Sequence, residues 1–233
     1  MLDELIKEIN SKADKKQAEN LQRFFKTGPG EYGEGDIFLG IKVPVQRQIV
    51  KKYVGLNLLK VQELLSSKMH EHRLIALLIL VEKFKKGNEI ERGNIFNLYL
   101  KNTKYINNWD LVDLSSHKIV GEFLVDKKRD ILYKLASSDD LWEKRIAMIS
   151  TFAYIKNEEF DDAIRIAEIL LKDKHDLINK AVGWVLREVG KKNQKILEDF
   201  LKKHYDLISR TTLRYAIEKL DEELRKKYLK GKI

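Results

Sequence analysis

The feature that most constrains the fold of this chain is the scarcity of residues that interrupt helices. Only two prolines, Pro29 and Pro44, occur among 233 residues, and four of the twelve glycines lie in the segment Gly28–Gly35. Elsewhere apolar residues recur at helical spacing, as in residues 182–189. Sustained alternation of apolar and polar residues, which is typical of strands, is missing. The sequence therefore predicts an all-α fold.

The helices also follow a repeat. Helix starts are predicted 38, 32, 36 and 34 residues apart, at His70, Asn108, Asp140, Asp176 and Arg210. A second set of amphipathic segments alternates with the first, at Asn88–Lys101, Lys127–Ser137, Glu159–Lys172 and Asn193–His204. Two helices in roughly 35 residues is the size of TPR and HEAT-like units, and the TPR signature is missing. We therefore expect a HEAT-like helical-repeat solenoid with a concave surface that can follow a duplex.

Length and composition set the class of protein. A chain of 233 residues fits one domain, so residues 1–233 are expected to form a single α-helical repeat domain. The longest apolar run, residues 74–81, is too short to cross a membrane. The acidic N-terminus lacks the pattern of a signal peptide, so a cytoplasmic location is expected. We also expect the protein to be a monomer. The absence of cysteine excludes disulfides, thiolate nucleophiles and cysteine-based zinc sites.

The charge balance points to a polyanion as partner. The formal net charge is +9, of which residues 191–233 contribute +6, from 13 basic and 7 acidic side chains. A basic surface of this kind attracts nucleic acid. Solvated lysine-rich helix faces would have the same composition, so charge alone leaves both interpretations open.

The glycine-rich segment contains the formal dinucleotide pattern Gly28-x-Gly30-x-x-Gly33. That fingerprint needs a strand before it and a helix N-terminus after it to receive phosphate. Here a predicted helix precedes the glycines, and nearby acidic residues, including Glu31 and Asp36, would repel an anion. We interpret the segment as a surface loop of unusual backbone conformation.

The histidines do not form a metal or catalytic motif. No two are spaced as a helical ligand pair, so no metal site is expected. The five are His70, His72, His117, His175 and His204. Two of them, His70 and His72, fall at a predicted helix start and are interpreted as surface residues.

The segment from residue 107 to residue 113 contains side chains that could take part in binding or catalysis. Asn108 can cap a helix. The negative charge of Asp110 would be stabilised by the positive N-terminal end of that helix. Asp113 lies one turn beyond Trp109, so their side chains share a face, and it interrupts an apolar stretch. Asp113 therefore either has a partner or faces a groove. In a solenoid, Trp109 and Asp113 could converge with Arg145 and Trp184 on one cleft, although core packing and surface ion pairing are alternative roles.

The sequence resembles the AlkD-type DNA-alkylation-repair glycosylases, a family built from HEAT-like repeats. The resemblance covers nearly the whole chain. Four ordered motifs carry it, at Phe38–Arg47, Asn108–Asp113, Leu141–Ala147 and Lys180–Glu188. It implies hydrolysis of the N-glycosidic bond of cationic N3- or N7-alkylated purines in double-stranded DNA, without a flipped-base pocket and without a cofactor or metal.

The resemblance also implies roles for particular residues. Asp113, Trp109 and Trp184 are the catalytic candidates, and Arg145 and Arg187 are candidates for binding DNA phosphates. Further DNA contacts are expected at Phe24, Arg47 and Lys180, where Phe24 stands at a position that is tyrosine in some family members. An alkylated purine is already a good leaving group, so one carboxylate can suffice, in contrast to the paired carboxylates of glycosidases.

Two other functions remain open from the sequence. A non-catalytic HEAT-repeat protein that binds damaged or distorted DNA would share the charge and the repeats but would release no base. A protein-binding scaffold would share only the repeats and would not bind a plain duplex.

Overall fold

The computed structural model describes residues 1–232. Within these residues the secondary structure is helical, and the one extended pairing is an isolated bridge between Ile37 and Met69. The prediction of an all-α fold is confirmed. No helix in the described part of the chain is long and apolar enough to cross a membrane.

The helices are numbered in chain order. Their bounds are α1 Leu2–Asn10, α2 Lys15–Phe24, α3 Val43–Tyr53, α4 Leu58–Leu65, α5 His70–Lys86, α6 Glu89–Lys101, α7 Trp109–Asp113, α8 Asp130–Ala136, α9 Leu141–Ser150, α10 Phe152–Ile155, α11 Asp161–Leu170, α12 Asp176–Lys192, α13 Gln194–His204, α14 Arg210–Ala216 and α15 Glu222–Lys230. A 3-10 turn spans Thr103–Tyr105, and a π-helical turn spans His117–Gly121.

The five predicted helix starts agree with the observed ones to within one residue, and the starts of the alternating segments agree to within three. Side chains at the N-caps explain this accuracy, because they accept hydrogen bonds from the otherwise unpaired backbone N–H groups of the first turn. Asn88 forms a complete capping box with Glu91 before α6, and Asp140 accepts bonds from two N–H groups of α9. Ser209 caps α14 in the same way. The solenoid arrangement and its concave basic surface stay predictions.

The described chain divides into two compact units, Met1–Ser115 and Ser116–Ile233. The single domain expected over residues 1–233 stays a prediction. In the first unit, α5 is the central helix and packs against α3, α4, α6 and α7. Every residue from His70 to Val81 is buried, including the polar first turn. A helix that is surrounded on all sides cannot be amphipathic, which accounts for the run of eight apolar residues.

In the second unit, α12 is central and packs against α9, α10, α11, α13 and α14. Its approach to α14 is close because Gly183 has no side chain. A Cβ added at Gly183 would lie 2.5 Å from the Cβ of Tyr215 and 2.6 Å from the backbone oxygen of Thr212. The motif that contains Gly183 is therefore shaped by packing between two helices.

We expect the substitution Gly183→Ala to lower the free energy of unfolding. Overpacking of a tight contact costs about 1–3 kcal/mol, and the higher helix propensity of alanine, about 1 kcal/mol, offsets only part of this cost. Chemical denaturation measures the difference. The matched control is Gly55→Ala, since a Cβ there meets nothing within 4 Å. Equal stability of the two variants would contradict the close packing.

Candidate active site

The first unit places two candidate residues at the two ends of the short helix α7. Trp109 begins the helix and Asp113 ends it, and both are half-buried. The Asn108 side chain accepts a hydrogen bond from the Trp109 backbone N–H at 2.8 Å. The Asp110 Oδ1 atom accepts one from the Leu111 N–H at 2.9 Å. The predicted capping role of Asn108 is thus observed, and Asp110 lies in the first turn of the helix, as expected.

The Trp109 indole is one end of a stack of aromatic rings. It lies on the Phe25 ring with a centroid distance of 5.0 Å and an interplanar angle of 15°. The Phe25 ring lies 4.9 Å from that of Phe38, which in turn lies 4.3 Å from the His70 imidazole at 22°. Offset parallel rings at these separations attract one another. The half-buried indole therefore packs on a stack of rings that reaches the interior.

Phe24 borders this stack and is the exposed aromatic side chain nearest to it among the described residues. Its ring meets Phe25 at 5.2 Å and Trp109 at 6.0 Å, in both cases edge-on. The side chain is 65% exposed, although it belongs to the last turn of α2. An exposed phenyl ring beside a half-exposed indole is a surface suited to contact with nucleotides.

A buried charged cluster lies at the other end of the stack. The His70 Nδ1 atom is 3.1 Å from the Asp36 Oδ2 atom, and its Nε2 atom is 2.9 Å from the Asp110 Oδ2 atom. The Arg73 guanidinium donates to the Asp36 Oδ1 atom at 2.6 Å, and the Asn108 amide donates to the Asp36 Oδ2 atom at 3.1 Å. Asp36, His70, Arg73 and Asp110 are all less than 9% exposed. We call these four residues and Asn108 the charged cluster.

The geometry favours the imidazolium form of His70. A neutral imidazole donates from only one ring nitrogen, whereas both nitrogens of His70 face carboxylate oxygens. Burial disfavours the charge, but the opposite charges of Asp110 and Asp36 outweigh it and raise the pKa of His70 to about 9. Burial likewise opposes ionisation of Asp36, yet His70 and Arg73 hold the pKa of that carboxyl below its usual range.

The interpretation of His70 and His72 as surface residues is wrong. His70 is 2% exposed and His72 is 7% exposed. The His72 Nδ1 atom lies 3.0 Å from the Ser67 hydroxyl, outside the charged cluster. The run of eight apolar residues indicates a surrounded helix. Burial of the polar turn before it depends on partners of His70 that are distant in sequence.

Glu71 explains the backbone of the motif Phe38–Arg47. Its buried carboxylate accepts hydrogen bonds from the N–H groups of Leu39, Gly40 and Ile41, at 2.8, 2.8 and 3.1 Å. Gly40 has φ of 85°, and a Cβ there would lie 2.1 Å from the Asp14 backbone oxygen. Only glycine fits this position, which brings the segment onto the start of α2.

The glycine-rich segment forms a series of turns on the surface, as expected. The carboxylate of Glu31 accepts a bond from the Gly28 N–H at 2.9 Å, and that of Glu34 accepts one from the Gly30 N–H at 2.8 Å. The acidic side chains therefore satisfy the loop's own backbone donors. The segment ends at Asp36, whose side chain enters the charged cluster.

Asp113 acts electrostatically on the interior. Burial and the negative charge of Asp113 raise the pKa of the Tyr99 phenol, whose oxygen lies 2.9 Å from the Ser115 hydroxyl. The carboxylate is half-buried at the end of α7. A position between the interior and solvent is one from which a carboxylate can act on a bound cation.

In the second unit, Arg145 is 5% exposed on α9. Its Nη1 atom donates to the Leu177 backbone oxygen in the first turn of α12, at 2.6 Å. The Asp140 side chain accepts bonds from the N–H groups of Trp142 and Glu143. The contact with Leu177 orients the guanidinium and joins α9 to α12.

Helix α12 presents three candidate residues at helical spacing on one face, Lys180, Trp184 and Arg187. The half-buried Trp184 indole lies 4.9 Å from the Phe152 ring. Arg187 forms ion pairs with Glu188 and Glu218, and Lys180 pairs with Asp176 at 2.7 Å. Trp142, in contrast, is 7% exposed and fills the core.

The candidates are thus distributed over both units. Trp109, Asp113, Phe24 and the exposed Arg47 of α3 belong to the first unit. Arg145, Lys180, Trp184 and Arg187 belong to the second. The convergence of all of them on one cleft stays a prediction. Among the described residues, no group of three or more His, Asp or Glu side chains could hold a metal ion.

A sequence profile described as "DNA alkylation repair enzyme" matches residues 5–220. The chain belongs to this family. Its fold is similar to that of a solved structure described as "Predicted DNA alkylation repair enzyme from Enterococcus faecalis". The two share 16% sequence identity with a TM-score of 0.69, over 91% of this chain and 98% of the other. No curated protein matches the sequence. Family membership supports a role in DNA repair.

For this DNA alkylation repair family member, the charged cluster predicts that stability falls at alkaline pH. The pKa of His70 is about 9 when folded and about 6.5 when unfolded, so its stabilisation is complete below 6.5 and is lost as pH rises through 9. The shift corresponds to roughly 3 kcal/mol. Urea denaturation measures the free energy of unfolding of wild type and of His70→Gln at each pH. We expect the advantage of the wild type to disappear between pH 6.5 and 9.5. A difference that is constant over this range would contradict the imidazolium assignment.

Proposed function

We propose that this protein is a monofunctional DNA glycosylase that releases cationic N3- and N7-alkylated purines from duplex DNA. Family membership supports an enzyme of DNA alkylation repair. The net charge of +9 suits a DNA substrate. The observation that carries the proposal is the construction of α7, which holds an indole and a carboxylate half-exposed at the ends of a helix anchored by the charged cluster.

The chemistry needs little more than this. Alkylation gives the purine a positive charge, so the electron pair of the C1′–N bond passes to the base, which leaves neutral. An oxocarbenium-like sugar remains, and water adds to C1′ with loss of a proton. In the proposal, Asp113 stabilises the positive sugar and orients this water. The faces of Trp109 and Trp184 attract the cationic base and sugar.

The basic candidates have supporting roles. In the proposal, Arg145 contacts the phosphate next to the lesion, with its guanidinium oriented by the Leu177 carbonyl. Arg187 and Lys180 lie on the same face of α12 as Trp184 and would bind further phosphates, and Arg47 is exposed on α3. Phosphate contacts of this kind position the protein on the duplex without reading its sequence. No base needs to enter a closed pocket in this arrangement.

The substitution Asp113→Asn tests the proposal. We expect base release from a duplex that carries one N7-methylguanine to fall by about 10²–10³-fold, the usual effect of removing one electrostatic stabiliser of a transition state. Alkali-revealed strand cleavage measures the abasic product, and duplex binding should change by less than about fivefold, because the substitution preserves the side-chain volume and removes no phosphate contact.

The control is Asp139→Asn, an exposed carboxylate in the turn before α9 that should leave base release unchanged. Wild-type protein that binds the duplex but forms no abasic product would favour a damage-binding protein without catalytic activity. Equal base release by wild type and Asp113→Asn would exclude the role of Asp113.

The exposed ring of Phe24 generates a second prediction. If it contacts a nucleotide, Phe24→Ala should weaken binding to the alkylated duplex by about 1 kcal/mol, or about fivefold in Kd. The control Leu59→Ala removes another exposed apolar side chain, 79% exposed on α4. Fluorescence anisotropy with labelled duplex compares the two variants. Equal Kd values would place Phe24 outside the DNA contact.

A further inference from the structure

The charged cluster joins three segments that are distant in sequence. Asp36 comes from the end of the glycine-rich segment, His70 and Arg73 from the first turn of α5, and Asn108 and Asp110 from the start of α7. The side chains of Asn108 and Asp110 thus flank Trp109 in sequence and are both held inside the cluster. The indole between them projects onto Phe25.

We propose that His70, bridging Asp36 and Asp110, is a positioning residue for the excision reaction, one that sets the placement of Trp109 and Asp113 while contacting neither the base nor the sugar. The proposal rests on the proposed function. It adds a group outside the set of residues expected to touch the substrate.

His70 supports Trp109 through two routes, because its Nε2 atom binds Asp110 next to the indole and its ring ends the stack that runs through Phe38 and Phe25. The start of α7 is therefore held both by the bond to Asp110 and by the stacking of the Trp109 indole. Since α7 has only five residues, its own hydrogen bonds cannot hold it in place.

The charged groups that face His70 are Asp36 from the glycine-rich segment and Asp110 from α7, with Arg73 from its own helix bound to Asp36. The neighbouring Glu71 carboxylate is turned towards backbone N–H groups. Loss of the ring proton would leave one nitrogen lone pair facing a carboxylate. That repulsion would act on Asp110 or Asp36 and loosen the start of α7.

The test compares the single-turnover excision rate of His70→Gln with that of wild type across pH. Their ratio is the readout, because effects of pH on the substrate cancel. At about pH 7 we expect the variant to be slower by roughly tenfold or more, since a misplacement of about 1 Å can cost about a hundredfold. As pH rises through about 9 and beyond, the ratio should fall towards one, because the wild type then loses the imidazolium.

His72→Gln is the matched control. It removes a buried imidazole two residues away on the same helix, one that contacts Ser67 and lies outside the charged cluster. Its rate relative to wild type should not vary with pH. If His70→Gln does not fold, Asp110→Asn serves instead: with one carboxylate charge removed, the alkaline fall of activity should move to lower pH.

The outcomes separate the two proposals. If wild type releases base but the ratio for His70→Gln, or the alkaline fall in Asp110→Asn, does not depend on pH as expected, the positioning role is overturned and the glycosylase stands. If wild type binds the duplex and releases no base at any pH, the glycosylase is overturned, and the positioning role with it. Circular dichroism at each pH confirms that the compared proteins are folded.

Discussion

A buried imidazolium held between two carboxylates organises the first unit of this protein. Burying charges costs several kcal/mol per ion, which is recovered only when every charge is paired and oriented. Here His70 and Arg73 are matched by Asp36 and Asp110, and the remaining acceptor capacity of Asp36 is used by Asn108. A partly formed cluster would leave an unpaired buried charge. Pairing within the cluster therefore favours the arrangement in which all three segments meet.

The aromatic stack connects the charged cluster in the interior to Trp109 at the surface. Apolar packing alone tolerates sliding, but a ring anchored to a charged and hydrogen-bonded imidazole has little freedom to slide. Each ring from His70 through Phe38 and Phe25 restricts the next, and the last is the half-exposed indole of Trp109. A short helix such as α7 is a weak element by itself. Its placement therefore depends on the ring stack and the charged cluster against which it packs.

Local signals made most of the secondary structure predictable from the sequence. Caps such as Asn88, Asp140 and Ser209 act within three residues of themselves, so they mark helix starts without knowledge of the fold. The burial of His70 was not predictable in this way, because it depends on Asp36 and Asp110, which are 34 and 40 residues distant. Asp36 itself gave a local signal, a carboxylate after glycines, that indicated a surface loop. In the structure, its hydrogen bonds to His70, Arg73 and Asn108 hold the Asp36 side chain in the interior instead.

The candidate DNA contacts illustrate a second limit of sequence reasoning, since a count of basic residues does not reveal which charges are already paired. On α12, Arg187 is bonded to Glu218 and Lys180 to Asp176. A DNA phosphate must compete with these carboxylates. Exposed ion pairs contribute about 0–1 kcal/mol, whereas each phosphate contact also releases counterions from the duplex. The exchange can therefore favour DNA at low salt and reverse as salt rises.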